Sequence, residues 1–417
     1  MTAVMLRFPE AVILEWDDRD QSFYVLQRYR LSEEEIQIVL SSSGPIQAPA
    51  VPLPTHNSPK PARTLLEICS EGAGHKERQL SLLPLYEDHG TVHVAASGER
   101  SITWAHEHWP GHRIIYDRSG NVRRASTLVS YVRNQSAILR QAKNLLLHLD
   151  QYTHTITDFA PVLPAAVQLA RKRGQHRIPP LFHISHHAAM HSRFKDTPKP
   201  LTTDSLTYWA TQRYLDSISG DFNIGFHFEA YHPDIFTPPI SQEILNAVPT
   251  FNSNIVLVYL TGSPQYLAEQ CARIDHCGEH EWHIYSAMQS EVKQSAYKHV
   301  WLFPLDQSFR NKLPHVRSVV TSCGFMGPSE LLHLGKPFAA IPTQGHGEHS
   351  FNAAALQEIS DVTVVPTIAE ESSHKIIRRM LHDAKSIDKP LQRTGRMGKI
   401  GPYRDVRADV VKRIYDV

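Results

Sequence analysis

Apolar and polar positions fall into two blocks in which short apolar runs alternate with stretches of helical spacing. In the first block Thr64–Cys69 predicts a strand, the polar run Ser70-Glu71-Gly72-Ala73-Gly74-His75 ends it, and Lys76–Tyr86 has helical spacing. Thr91–Ala96, Thr153–Thr157 and Pro180–Ser185 predict further strands. Leu128, Val132, Ile138, Leu139, Leu145 and Leu149 recur near a 3.6 period and predict a helix over 126–149, with another over 162–173. The second block opens at Asn254. Its predicted strands are Ile255–Leu260, Trp282–Ser286, Val300–Phe303, Ser318–Thr321 and Pro337–Ile341; helices are expected after Thr261-Gly262-Ser263-Pro264 through Arg273, over 327–334 and over 350–358. Strands joined through helices pair in parallel and carry helices on both sheet faces. The fold class is therefore α/β, with two Rossmann-like domains and a cleft between their strand C-terminal edges, where such sheets bind ligands.

The rest of the chain divides around these blocks. Residues 1–43 form a small N-terminal appendage with strand-like runs at Ala11–Trp16 and Ser22–Leu31, then a short helix opened by a Ser32/Glu35 capping box. Residues 44–62 hold Pro45, Pro49, Pro52, Pro54, Pro59 and Pro61, which predicts an extended linker. The first Rossmann-like domain is placed at 63–195 and an aromatic, proline-bearing interdomain region at 196–249. The second domain follows at 250–385, and 386–417 is a tail.

Composition narrows the function classes. Of 417 residues, 41% are hydrophobic and 20% charged, with net charge +1, which excludes disorder as the main state. No apolar run approaches the length of a membrane span, and no basic segment leads into an apolar block at the start. A cytoplasmic protein is expected. The four cysteines, at 69, 271, 277 and 323, show neither a disulfide framework nor paired zinc spacing. Between Arg100 and Pro180 twelve basic residues stand against four acidic ones, leaving the remainder of the chain acidic. That asymmetry suits an anionic acceptor (a lipid-linked glycan, a polysaccharide or, less well, nucleic acid) or peripheral contact at the cytoplasmic face of a membrane. A solvated arginine-bearing helix face explains it equally.

The segment with most chemistry runs from Val319 to Pro342. An apolar strand enters a turn carrying Ser322, Gly324, Phe325, Met326 and Gly327, and then a helix with Ser329 and Glu330. Free N–H groups at a helix start suit a diphosphate, and glycines there let the backbone come close. A carboxylate one turn further on, Glu330, can accept from both hydroxyls of a ribose. Spacing alone is also met by one more helix–strand unit with a glycine at each end.

This segment resembles the donor-nucleotide motif of GT-B glycosyltransferases, especially the MurG-like family (glycosyltransferase family 28-like). There a Gly-rich turn, a Ser-Glu pair, a Gly-Lys-Pro-like corner and a polar loop ending in Asn-Ala occur in this order. Here the last element is Gln344-Gly345-His346-Gly347-Glu348-His349-Ser350-Phe351-Asn352-Ala353. The resemblance spans roughly 63–385 and implies ribose binding at Glu330, diphosphate binding from Gly324 to Ser329, and donor-sugar contacts at Glu348 and His349. Gln344 and Asn352 join this donor set. The family often has Gln or Asp-Gln where this chain has Glu348-His349, which leaves the donor sugar open. On the acceptor side, Gly72, Gly74 and His75 match the first glycine loop, Thr157-Asp158-Phe159-Ala160-Pro161 matches a Ser-Asp-Phe-Glu-Pro segment, and His186 with His187 stands where an Asn-Gln-His ending occurs.

The implied activity is transfer of a sugar from a nucleotide diphosphate sugar, a UDP-sugar, to an acceptor hydroxyl, inverting and independent of metal. The nucleotide sugar is a co-substrate, and no cofactor is expected. His75 suits the base that takes the acceptor proton, and Asp158 could fix its tautomer. The alternatives are a helix-capping or acceptor-contacting His75 and an N-cap Asp158. Gly262 and Ser263 offer phosphate donors from the other wall, or are ordinary turn residues. Asp18-Arg19-Asp20 matches a manganese-holding Asp-x-Asp pattern but lies in a charged turn outside both blocks. His183, His186, His187 and His191 lack cysteine or carboxylate partners at ligand spacing, so no metal site is assigned. Two rival functions share the fold: a UDP-sugar 2-epimerase, with Glu348 as its carboxylate, and a non-catalytic nucleotide-sugar or glycan-binding protein.

Overall fold

The computed structural model describes 2–7, 10–17 and 22–30 as backbone, then 61–69, 73–97, 99–109, 113–117, 135–191, 194, 205–259, 264–275, 280–286, 288–304, 306–343, 346–366 and 371–416. The first three strands, β1 (Thr2–Arg7), β2 (Glu10–Asp17) and β3 (Ser22–Arg30), form an antiparallel meander. The β1 strand had no counterpart in the sequence reading. The Ser32/Glu35 capping box, the Asp18-Arg19-Asp20 turn and all but the end of the 44–62 linker lie outside the described residues.

The first α/β domain runs β4 (Ala62–Ile68), α1 (Ala73–Glu87), β5 (Gly90–Ser97), α2 (Glu99–His108), β6 (Arg113–Asp117), α3 (Gln135–Leu146), β7 (His154–Asp158), α4 (Val162–Lys172), β8 (Leu181–Ser185), α5 (His186–Ala189), α6 (Ser205–Ile218), β9 (Phe222–Phe226), β10 (Ile235–Phe236) and α7 (Gln242–Leu245). Its seven strands are all parallel, in the order β10-β9-β8-β7-β4-β5-β6. Leu65, Leu66, Ile156, Phe182 and Ile184 are fully enclosed, as expected for strands covered by helices on both faces. Polar side chains enter this sheet at its C-terminal edge: Thr157 and Asp158 are both buried there. Glu67 is buried too, and accepts from the N–H groups of Val162 (3.0 Å) and Leu163 (2.8 Å), anchoring the start of α4.

The 196–249 stretch is corrected by this topology. Rather than only bridging domains, it supplies α6 and two strands of the first sheet. Phe222-Asn223-Ile224-Gly225-Phe226 is short and broken by Asn and Gly, which hides its strand character. Gly225 is required by packing, since a Cβ there would lie 2.4 Å from Ile235 Cδ1 and 2.8 Å from Ala189 N. Of the helix expected over 126–149, α3 covers 135–146 and the chain then turns into a single 3₁₀ turn at Leu149–Gln151; 126–134 lie outside the described residues.

The second domain runs β11 (Ile255–Tyr259), α8 (Pro264–Asp275), β12 (Glu281–Tyr285), β13 (Val300–Phe303), α9 (Gln307–Lys312), β14 (Ser318–Ser322), α10 (Met326–Leu334), β15 (Phe338–Ile341), α11 (Gly347–Gln357), β16 (Thr363–Val364) and α12 (Glu371–Lys385). Its six strands are parallel, in the order β13-β12-β11-β14-β15-β16. One apolar cluster is continuous from Leu66, Phe182, Phe226 and Phe228 of the first domain to Leu257, Phe325 and Leu332 of the second.

The tail forms a hairpin, β17 (Arg393–Gly395) with β18 (Gly398–Ile400), and then α13 (Arg407–Tyr415). Arg396 N and Met397 N donate to the carboxylate of Glu229, and Tyr403 OH donates to Phe228 O (3.1 Å). Tyr415 shares a 2.6 Å hydrogen bond with Thr64 and stacks on His89 at 4.2 Å, so the tail packs on the first domain. Among the described residues no helix is long and apolar enough to cross a membrane.

Candidate functional site

The first wall of the cleft is made where β4 and β7 end. Helix α1 begins at Ala73, three residues before the expected start, which brings Gly74 and His75 into its first turn. His75 Nδ1 lies 2.7 Å from Asp158 Oδ1. The same carboxylate accepts from Arg78 Nε (3.0 Å) and Nη2 (2.5 Å) and from Gln79 Nε2 (2.8 Å). Three donors from one helix thus converge on a fully buried strand-end aspartate. Burial acts to raise the Asp158 carboxyl, yet Arg78 and His75 outweigh it and hold the group well below the usual carboxylate range. Arg78 Nη2 also stands 2.9 Å from His75 Nδ1, so this ring nitrogen is shared between the aspartate and the guanidinium. No described residue bonds to His75 Nε2. Phe159, the next residue, adopts φ 58°, a left-handed conformation that costs a non-glycine residue about 1–2 kcal/mol. The bend lays its ring against His187, with centroids 3.7 Å apart.

The second wall is the bend between β14 and α10. Burial alternates along it: Thr321, Cys323 and Phe325 are buried, while Ser322, Gly324, Met326 and Gly327 are half-buried. Neither glycine is demanded by the chain's own packing. A Cβ on Gly324 would meet only Ser322 Oγ at 3.8 Å, and one on Gly327 only Thr321 Oγ1 at 3.5 Å. Room left unused by the protein is room for a ligand. No side chain caps α10, whose first turn carries the N–H groups of Met326 and Gly327 but none at Pro328. Helices α1 and α10 meet at their N-termini, where a Cβ on Gly74 would stand 3.6 Å from Met326 Cγ. Two positive helix ends therefore converge on one place.

Several expected donor contacts have other partners. Ser329 is fully buried and its hydroxyl donates to Phe325 O (2.7 Å) within the helix. The Phe325 ring lies beneath the bend and stacks on His186 at 3.9 Å. Both side chains are thus packed inward, and it is the half-buried Ser322, Gly324, Met326 and Gly327 that leave the bend open to its surroundings. Asn352 and His186 are buried as well, with His186 Nε2 2.6 Å from Asn352 Oδ1 and Asn352 Nδ2 donating to Cys323 O (2.9 Å). Burial pushes the His186 imidazole down to about 3.

Glu330 faces Arg310, whose Nε lies 3.0 Å from Oε1, and only 4% of the Glu330 side chain is exposed. Arg310 Nη1 in turn donates to Glu77 Oε2 (2.7 Å) on α1, so this cation joins the two domains. Burial, partly offset by Arg310, pushes the Glu330 carboxyl up to about 7. Glu348 Oε2 lies 3.3 Å from His187 Nε2, again across the cleft. Burial acts to raise Glu348, but His187, His186 and His346 hold it well below the ordinary range. His349 Nδ1 accepts from Thr343 N (3.1 Å) and braces its loop; burial lowers its imidazole to about 4.

Gly72, Gly262, Ser263 and Gln344 lie outside the described residues, as do Arg118, Arg123, Arg124 and Arg133 of the basic block. Among the described residues no group of three or more His, Cys, Asp or Glu side chains comes together as metal ligands. His183 pairs with Ser185 (2.8 Å) and His191 with Asp216 (3.0 Å). Arg78, Gln79, Glu77 and Arg310 were not singled out from the sequence. Arg78 stands three residues after His75 on the same helix face, a signal that was there to use.

The sequence model of glycosyl transferase family 1 matches residues 62–380. Curated protein sequences give no match. Among solved structures, Arabidopsis thaliana UGT89C1 complexed with quercetin aligns with TM-score 0.54 at 14% identity, over 78% of this chain and 90% of that one. LpCGTa in complex with UDP aligns with TM-score 0.50 at 15% identity, over 78% and 95%. Acinetobacter baumannii MurG gives 0.49 at 12%, over 86% and 100%. The first two likenesses show the shared two-domain fold. With three quarters of its length inside the family match, this chain belongs to glycosyl transferase family 1 and is a glycosyltransferase of GT-B architecture.

Proposed function

We propose that the protein transfers a sugar from a UDP-sugar to an acceptor hydroxyl with inversion and without a metal ion. The observation that carries this reading is the His75–Asp158 pair at the start of α1, facing the uncapped start of α10 across the cleft. His75 Nε2 takes the proton of the acceptor hydroxyl, and Asp158, already ionised, stabilises the resulting imidazolium. The acceptor oxygen attacks the anomeric carbon from the face opposite the diphosphate. The bond from that carbon to the diphosphate oxygen breaks, and its electron pair leaves with the nucleotide. The N–H groups at the α10 start meet the charge that develops there. Glu330, paired with Arg310 through Oε1 at 3.0 Å, receives the ribose while Arg310 keeps Glu77.

UDP as the nucleotide is supported by LpCGTa, which has the same fold and was solved with UDP. An anionic acceptor, and contact with a membrane surface, fit the basic block of the first domain. The test is release of UDP from UDP-glucose and UDP-N-acetylglucosamine with a panel of lipid-linked and polysaccharide acceptors, in chelator. His75→Ala should abolish acceptor-dependent release. The reading fails if UDP-N-acetylglucosamine alone yields its 2-epimer, if release depends on added metal, or if His75→Ala transfers normally.

A further inference from the structure

Glu348 and Asn352 are four residues apart on α11 and so share one face of that helix. This face meets the two consecutive histidines that open α5. His186 holds Asn352, and His187 holds Glu348, in each case from the opposite domain. The His187 ring has little freedom to move. Phe159 stacks on it at 3.7 Å and 18°, and His75 at 5.2 Å and 11°. The unusual φ of Phe159 is what sets that ring in place. Glu348 Oε2 is engaged by His187, while no described residue bonds to Oε1, and 19% of the Glu348 side chain remains exposed.

We propose that His187 is a positioning residue for the donor sugar. By binding Oε2 of Glu348 it turns Oε1 toward the hydroxyls of the hexose, so the second domain grips the sugar only when the first contributes its histidine. The inference rests on the reading of Glu348 as a donor-sugar ligand. It predicts a split between the two halves of the donor. The nucleotide is held by the α10 bend and does not involve His187; the sugar does.

Calorimetric titration of UDP, UDP-glucose and UDP-N-acetylglucosamine into His187→Phe and His187→Gln tests it. Phenylalanine keeps the stack but has no N–H; glutamine places an amide N–H near the former Nε2. His187→Phe should bind UDP within about twofold of the parent while losing about tenfold for the better UDP-sugar, the scale of one hydrogen bond to a charged group. His187→Gln should stay within about threefold for both. His187→Asn, too short to reach Oε2, carries the same expectation as Phe if the larger ring prevents folding. Equal losses for UDP and UDP-sugar, no loss for either, or a stably folded His187→Gln as weak as His187→Phe would overturn the inference. Absence of any UDP or UDP-sugar binding by the parent protein would instead remove the donor-site reading itself.

Discussion

Replacing Asp158 with alanine should cost more than any other single change in the cleft. The carboxylate is fully buried and receives four hydrogen bonds, two from Arg78, one from His75 and one from Gln79. Arg78 is itself only 2% exposed and cannot turn to water when its partner is removed. Breaking such a pair from one side costs about 3–5 kcal/mol, because the remaining cation stays buried and unpaired. Folded domains have about 5–15 kcal/mol in total, so the loss is a large fraction of the margin. Urea denaturation followed by circular dichroism measures it. The double variant Arg78→Met with Asp158→Leu removes both charges and should recover at least about 2 kcal/mol of the loss. The pH dependence has a definite sign. Asp158 titrates lower in the folded protein than its unfolded value of about 3.9, so its contribution is complete above that pH. It is lost as the pH falls below about 4 toward the native value, and the double variant should show a flatter acid limb. A loss under about 1 kcal/mol for Asp158→Ala, or a double variant no better than the single one, would refute the reasoning.

Gly324→Ala should leave the melting temperature unchanged or slightly higher, since the added Cβ meets only Ser322 Oγ at 3.8 Å, yet weaken UDP binding at least about tenfold by calorimetry. Gly335→Ala should do the reverse: φ is 63° and the new Cβ would lie 2.6 Å from Pro390 Cβ, so stability falls by more than about 1 kcal/mol in the same denaturation assay. Glu67 is pushed up to about 7, by burial chiefly, so the folded state holds its proton more tightly than the unfolded one. Stability should therefore decline as pH rises from about 4.5 through about 7, and Glu67→Gln should flatten that slope in thermal melts. Arg310→Ala strands Glu330 without its cation and should destabilise by about 1.5–3 kcal/mol, while raising the pH below which UDP binds poorly, read by calorimetry from pH 6 to 9.

Much of the architecture was legible because parallel strands buried on both faces are nearly continuous apolar runs. Leu65 and Leu66, and Val256, Leu257 and Val258, could hardly be anything else. Strands that mix classes escaped: Phe222–Phe226 carries Asn223 and Gly225, and Arg113–Asp117 opens and closes with charges. The His75–Asp158 pair was readable from strand-end placement, since both sit where ligands gather in such sheets. What the sequence did not show was the traffic across the cleft. The Glu77–Arg310–Glu330 bridge joins residues 233 and 20 positions apart, and His187–Glu348 joins residues 161 apart. No local pattern records such pairings. They depend on how the two lobes close, which also explains why Ser329 and Asn352, in the right order along the motif, turn out to be enclosed.

The returning tail bears on how the two lobes are held together. The polypeptide passes from lobe to lobe between Leu245 and Ile255, and again near Gly401, where Tyr403 is anchored on both sides by His333 and Phe228. The chain therefore joins the lobes at two separate points. The Glu229 contacts with Arg396 N and Met397 N cross between the lobes, whereas the Tyr415–Thr64 bond lies wholly on the first-domain side of the second crossing. Cutting the polypeptide after residue 386 would leave the two lobes joined by one covalent crossing instead of two.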